Sequence, residues 1–263
     1  MTDSHSAPAL FDSHVHLDAA EFDADRDEVL ANAVAVGVHE MLIPAVARAG
    51  WPKLHALCAS RPGLYPAYGL HPCYLDQHAD ADVAALADWL GTQPAAAVGE
   101  CGLDFFEPGL DRERQLRLLR GQLDIAHQFD LPLVLHARRA FEAVILQLRR
   151  FGKPLRGVVH SFSGSIEQAR ELWRLGFLVG IGGPVTYERA RRLRRLVSAL
   201  PEECLLLETD APDQPGSAHR GQRNEPAYLV EVLDCIATLR HTTATELAHV
   251  TTANARRLFL RGA

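Results

Sequence analysis

The sequence predicts an α/β protein, one TIM-type (β/α)8 barrel over residues 1–263, because short apolar runs alternate with amphipathic stretches and titratable residues collect at the carboxyl ends of those runs. The length of 263 residues agrees, since such barrels commonly run to about 250. No low-complexity linker, fixed-period repeat or composition shift marks a domain boundary. An open doubly wound sheet is the alternative fold.

In chain order the eight runs are ALFDSHVH (9–16), HEMLIPAV (39–46), LYPAYGLH (64–71), AAAVGECGLD (95–104), LPLVLHAR (131–138), GVVHSFS (157–163), LVGIGG (178–183) and LLLETDAP (205–212). Their near-continuous hydrophobicity suits strands buried on both faces, as in a parallel sheet. Helical spacing lies between them. Over 111–129, Leu116, Leu119, Leu123 and Ala126 share a face, and over 186–200 so do Leu193, Leu196, Val197 and Leu200. Ser165 with Gln168 reads as a capping box, and Asn224-Glu225-Pro226 as an N-cap followed by early helical positions.

Hydrophobic residues make up 48% and charged residues 23%, the balance of a globular protein with one large core. The net charge of −6, with no polybasic arm, restricts any nucleic-acid contact to a local patch. Lys53 and Lys153 are the lysines and every other cation is arginine, which reads first as genome bias. Five scattered cysteines without a C-x-x-C pair fit reduced thiols. The first residues show no basic and apolar signal pattern, and no window reaches about 18 consecutive apolar residues, so the expected location is cytoplasmic, with no membrane contact and no obligate protein partner.

His14 and His16 end the first run, Glu100 lies near the end of the fourth, His136 and Arg138 end the fifth, His160 is in the sixth, and Asp210 is near the end of the eighth. In a barrel of this kind that end carries the active site. Residues i and i+2 of a strand face the same way, so His14 and His16 point together into the mouth while Val15 turns to the helical layer. Paired imidazoles suit zinc, nickel, manganese or iron. A strand histidine taken singly is more often a hydrogen-bonded core residue; here the six positions share one predicted rim. Four imidazoles with two carboxylates exceed what one tetrahedral ion needs, so two divalent ions sharing ligands are expected, with Glu100 as the bridge. Lys53 falls in a predicted helix and Lys153 in a loop, so neither supplies a carboxylated-lysine bridge. His5, His78, His219 and His241 are read as loop or terminal residues, and His39, His55, His127 and His249 as helix or strand-start positions.

The segments FDSHVHLD (11–18), YGLHP (68–72), VGECGLD (98–104), LVLHARR (133–139), GVVHSFSG (157–164), LLLETDAP (205–212) and RNEP (223–226) resemble, in order, the TatD-type metal-dependent hydrolases of the amidohydrolase superfamily. The continuation ETDAPDQPG (208–216), with Asp213 after Pro212, is most similar to the YjjV-like branch. The resemblance implies a TIM barrel with two metals, occasionally three. It implies one ion on His14, His16, Glu100 and Asp210 and a second on Glu100, His136 and His160. It implies deoxyribonuclease activity, often 3′-to-5′ exonucleolytic. Many relatives carry cysteine where Ser161 stands; a small polar serine does not threaten ligation.

The mechanism this predicts is attack by a metal-activated water on phosphorus, with Glu100 and Asp210 as catalytic carboxylates and Asp210 as general base. Arg138, on the inward face with His136, would stabilise phosphoryl oxygens, or else pair with Asp104. His71 is a candidate for substrate, a third ion or a supporting role; Arg223, with Arg220, is a candidate for a phosphate backbone. Arginines 189, 191, 192, 194 and 195 are read as outer-face charges. The expected ions are zinc, manganese, magnesium or nickel, and the expected substrates are DNA ends or short nucleotide phosphodiesters. The alternatives are an amidohydrolase or esterase of small C–N or carboxylic ester substrates, and a non-catalytic metal-binding scaffold.

Overall fold

The computed structural model describes residues 8–260; His5 lies outside them. Eight strands form one sheet in chain order: β1 (Leu10–Asp12), β2 (Val38–Pro44), β3 (Leu64–Tyr68), β4 (Ala97–Asp104), β5 (Leu133–Arg138), β6 (Gly157–Val159), β7 (Phe177–Ile181) and β8 (Leu205–Leu207). Every neighbouring pair is parallel. The ring closes where Ser13 N–H and hydroxyl both donate to Leu207 O, each at 2.9 Å, just beyond β1. The helices are α1 (Arg26–Ala35), α2 (Trp51–Ala59), α3 (Asp82–Leu90), α4 (Arg112–Gln128), α5 (Phe141–Phe151), α6 (Ile166–Arg174), α7 (Arg191–Ala199), α8 (Leu229–Arg240) and α9 (Ala244–Phe259). No helix among the described residues is long and apolar enough to cross a membrane.

Two apolar layers follow from the strand alternation. Phe11, Leu42, Ala67, Ala97, Val134, Val158, Leu178 and Leu206, one from each strand, pack together inside the barrel. Ala255, Leu258 and Phe259 of α9 join that cluster and plug the amino-terminal end. The opposite faces, including Met41, Leu135, Val159 and Leu207, pack against the helices. With one end plugged, the interior opens only at the carboxyl ends of the strands.

Local chemistry sets several helix starts. The Ser165–Gln168 capping box forms at α6, and Thr243 with Glu246 makes a second at α9. Asp111 caps α4 by accepting from Arg114 N at 3.1 Å. On α4 Leu118, Leu119, Leu123 and Ala126 are buried, whereas Leu116 is only partly so. The helix expected over 186–200 is shorter: residues 183–186 form a 3-10 turn and α7 begins at Arg191. Asn224 does not cap a helix. Its amide donates to Thr209 O and Asp213 O, each at 2.8 Å, and so clamps the segment after β8.

The expected strand runs are also shortened, three of them most. β1, β6 and β8 each hold 3 residues, so His14, His16, His160 and Asp210 stand on the segments just past the ladder. Those segments stay tied to the barrel by hydrogen bonds that include Val15 N to Leu42 O at 3.1 Å, His160 N to Leu135 O at 3.0 Å, and Asp210 N to His14 O at 2.8 Å.

Candidate metal centre

The inward positions of each strand pass from apolar to polar on approaching the open rim. On β5 Val134 lies inside and His136 follows two residues on; past β6, Val158 leads to His160 in the same way. On β4 the register slips between Val98 and Cys101. This extra residue changes the alternation, sending Cys101 and Leu103 to the outer layer and Glu100 to the interior. Val15 packs in the outer layer, which leaves His14 and His16 together at the mouth as the i, i+2 spacing predicts. Gly102, at φ +143°, permits a close approach of β4 to β5: a Cβ there would lie 2.0 Å from His136 O.

These placements assemble two groups of ligand atoms around one carboxylate. In the first, His14 Nε2 lies 3.3 Å from His16 Nε2, 3.2 Å from Glu100 Oε2 and 3.5 Å from Asp210 Oδ1. His16 Nε2 is 3.6 Å from Glu100 Oε2 and 3.7 Å from Asp210 Oδ1. In the second, His160 Nε2 is 2.8 Å and His136 Nδ1 is 3.0 Å from Glu100 Oε1, and the two nitrogens are 3.3 Å apart. Ligand atoms about 2.1 Å from a shared ion stand about 3.4 Å apart in a tetrahedron and about 3.0 Å apart at neighbouring octahedral corners. Both groups match that spacing, and Glu100 presents one oxygen to each.

The hydrogen bonds behind the rings decide where their protons sit. His16 Nδ1 donates to Pro44 O at 3.2 Å and His136 Nε2 donates to Asp104 Oδ2 at 2.9 Å. Each ring therefore turns a lone pair toward the centre. Nitrogen lone pairs converging at 3.3 Å repel unless a proton or a cation stands between them, so the donor set fits divalent ions. His71 is fixed in the other sense. Its Nδ1 accepts from Cys73 N at 3.1 Å, leaving Nε2–H to donate to Glu100 Oε1 at 2.9 Å. His71 thus holds the shared carboxylate.

Electrostatics point the same way. Burial opposes charge on Glu100, but the imidazoles of His160, His71 and His14 hold it well below the usual carboxylate range. Burial also opposes charge on His160, yet Glu100 raises it to about 9. Against its burial, Asp104 and Glu100 raise His136 well above an ordinary imidazole. His14 is driven down to about 4 by burial and by His160. The negative potential that draws protons onto two of these rings is the potential that favours cations.

Several supporting groups were not visible as such in the sequence. Asp104 accepts Phe106 N at 2.8 Å and Glu107 N at 2.9 Å as well as His136, and stays ionised well below the usual range despite burial. Fully buried Glu208 accepts Ser161 N and stands 3.9 Å from His160 Nδ1; burial pushes its carboxyl up to about 8. Asp210 adopts φ +59°, a left-handed conformation costing a non-glycine residue about 1–2 kcal/mol. The bond from its N–H to His14 O and one from Gln214 Nε2 to its Oδ2 hold it there. Gln214 also bonds the Ser161 hydroxyl, giving the serine a defined role. Asp104 and Glu208 have a sequence signal, since each ends or nearly ends a barrel strand; Gln214 has none.

The centre forms the floor of a cavity of about 1170 Å3, whose walls include His71, Tyr74, Arg138 and Asp213. Arg138 is half exposed; its guanidinium lies 3.7 Å over the Phe106 ring and 3.9 Å from Asp104 Oδ2. Arg223 takes a different place from the one expected. Its fork grips Asp25 at 2.9 and 2.7 Å, Glu225 at 2.9 Å and Glu21 O at 2.6 Å, above the Phe22 ring. Its donors are committed to tying the segment after β8 to the segment after β1, and neither it nor Arg220 lines the cavity.

Residues 11–260 match the family model described as TatD related DNase. The chain is 40% identical over 252 residues to the metal-dependent hydrolase YjjV of Escherichia coli strain K12, covering 95% of this chain and 97% of that one. It is 35% identical over 260 residues to the 3′-5′ ssDNA/RNA exonuclease TatD of Salmonella typhimurium, covering 95% and 98%. The crystal structure of Escherichia coli YjjV superposes with a TM-score of 0.92 at 39% identity, covering 95% and 98%. The chain belongs to the TatD related DNase family.

Proposed function

We propose that residues 1–263 act as one barrel domain that hydrolyses phosphodiester bonds at the ends of nucleic acid strands, using two divalent ions. The observation that carries this reading is Glu100, whose two oxygens each face a separate group of converging ligand atoms. His14, His16 and Asp210 would complete one site with Glu100, and His136 and His160 the other. When bound, such ions act as Lewis acids that lower the pKa of water and offset charge on the phosphoryl oxygens.

The chain's own residues do the rest. Asp210 Oδ1 faces the centre while Oδ2 is tethered by Gln214, so it is placed to accept the proton of the attacking water. Glu100 bridges the ligand groups, steadied by Nε2–H of His71. Arg138, the sole arginine or lysine lining the cavity among the described residues, would stabilise the phosphate oxygens opposite the attacking water. His71 acts on substrate only through Glu100. With Arg223 committed elsewhere, it is left out of the substrate grip.

The Salmonella relative named as a ssDNA/RNA exonuclease supports single-stranded substrates. The second reading, hydrolysis of a C–N or carboxylic ester bond, draws on the small number of cations at the mouth. Metal-stripped protein reloaded separately with magnesium, manganese or zinc should release nucleotides from 3′-labelled single-stranded DNA. Inactivity there and on a generic phosphodiester, with turnover of an amide or ester panel, would transfer the assignment to the second reading.

A further inference from the structure

Each imidazole of the second ligand group has a far nitrogen to satisfy. His136 settles its own on Asp104 at 2.9 Å. His160 does not. Its Nε2 lies 2.8 Å from Glu100 Oε1, and for that atom to present a lone pair the ring proton must sit on Nδ1. Nδ1 is buried and has no hydrogen-bond partner among the described residues, a destabilising state for a donor. Glu208 Oε1 stands 3.9 Å from it. Glu208 is fully buried; it accepts the N–H of Ser161 through Oε1, while its Oε2 is also without a partner among the described residues. An unused donor and an unused acceptor thus belong to neighbouring side chains. Asp12, also fully buried, has no such vacancy, because His14 N, Thr209 N and the Thr209 hydroxyl occupy its oxygens. Gly180 of β7 makes the room that Glu208 needs: a Cβ there would lie 2.0 Å from Glu208 Oε2.

Resting on the two-ion reading above, we infer that Glu208 is the positioning residue of His160. It accepts Nδ1–H when Nε2 of His160 takes an ion, as Asp104 accepts Nε2–H of His136. A shift of about 1 Å brings the pair to hydrogen-bond distance. The bond fixes the tautomer and the plane of the ring and raises the basicity of Nε2. Glu208 touches neither ion nor substrate and acts only through His160.

Nitrogen-15 spectra of histidine-labelled protein saturated with zinc read this bond directly, and the first measurement needs no variant. In the wild type, His160 should carry its proton on Nδ1, with a downfield resonance that exchanges slowly with solvent. Glu208→Leu removes the acceptor and should abolish that signature. Glu208→Gln keeps an acceptor oxygen and should retain it. In equilibrium dialysis with zinc counted per chain, Glu208→Leu should weaken one of the two ions about 10–100-fold and leave the other unchanged. Glu208→Gln should stay nearer to the wild type than Glu208→Leu does. A His160 proton on Nε2, an Nδ1–H signal indifferent to Glu208→Leu, or equal zinc affinity in Glu208→Leu and the wild type would each overturn the role of Glu208 alone. Wild-type protein that holds fewer than two zinc ions would overturn the two-ion reading, and this role with it.

Discussion

Replacing Asp104 with asparagine acts first on one proton. Asp104 Oδ1 accepts Phe106 N at 2.8 Å and Glu107 N at 2.9 Å, and an asparagine oxygen can keep both bonds, so the exit of β4 stays formed. The other oxygen accepts from His136 Nε2 at 2.9 Å and from the Cys73 thiol at 3.3 Å. An amide NH2 in that position donates instead, which moves the imidazole proton to Nδ1, the atom that faces Glu100 and His160. A protonated Nδ1 cannot bind a cation. Loss of such a carboxylate partner behind a ligating histidine typically weakens metal binding about 10–100-fold, or about 1.4–2.7 kcal/mol. Equilibrium dialysis against graded zinc, with metal counted per chain, should show one ion lost at concentrations where the wild type holds two. The ion on His14, His16 and Asp210 should remain. Two ions held at wild-type affinity by Asp104→Asn would refute both the tautomer assignment and ligation through Nδ1 of His136.

Other perturbations separate the remaining roles. Asp210→Asn should lower turnover about 10²–10⁴-fold with a far smaller effect on substrate binding; near-normal rates would remove Asp210 as the base. Arg223→Ala should leave turnover close to wild type while lowering the melting temperature, because its partly exposed bonds to Asp25 and Glu225 contribute only about 1 kcal/mol. An activity loss as deep as that of Asp210→Asn would return Arg223 to the substrate grip. Burial raises Glu208 from an ordinary 4.5 to about 8. Between those values the native chain keeps a proton that the unfolded chain releases, so this group's contribution to stability falls as pH rises. In chelator-treated protein, Glu208→Gln should therefore gain melting temperature on the wild type from pH 5 to pH 8, and a constant difference across that range would discard the assignment.

The parts of the molecule legible in the sequence were those governed by short-range periodicity. His14 and His16 could be placed on one face because a two-residue spacing on extended backbone requires it, and Val15 occupies the outer layer accordingly. The Ser165–Gln168 box was legible because both its bonds close within one turn. Boundaries were less so. β1, β6 and β8 stop at Asp12, Val159 and Leu207, since their apolar runs continue as segments bonded to the barrel without continuing its ladder.

What remained hidden depends on which partner a polar group finds across the fold. Arg223 reads as a loop cation above the site, and only the return of the chain after β1 brings Asp25 against it, beside its near neighbour Glu225. His71 reads as a further ligand until Cys73 N–H occupies its Nδ1 and turns its donor toward Glu100. Both residues stand at the rim where the sequence places them, yet each is diverted by a hydrogen bond that periodicity does not encode. At a rim of this kind, strand spacing selects the side chains that can reach the centre. The bonds on their far sides decide which of them arrive with a lone pair, and so which are able to take a metal ion.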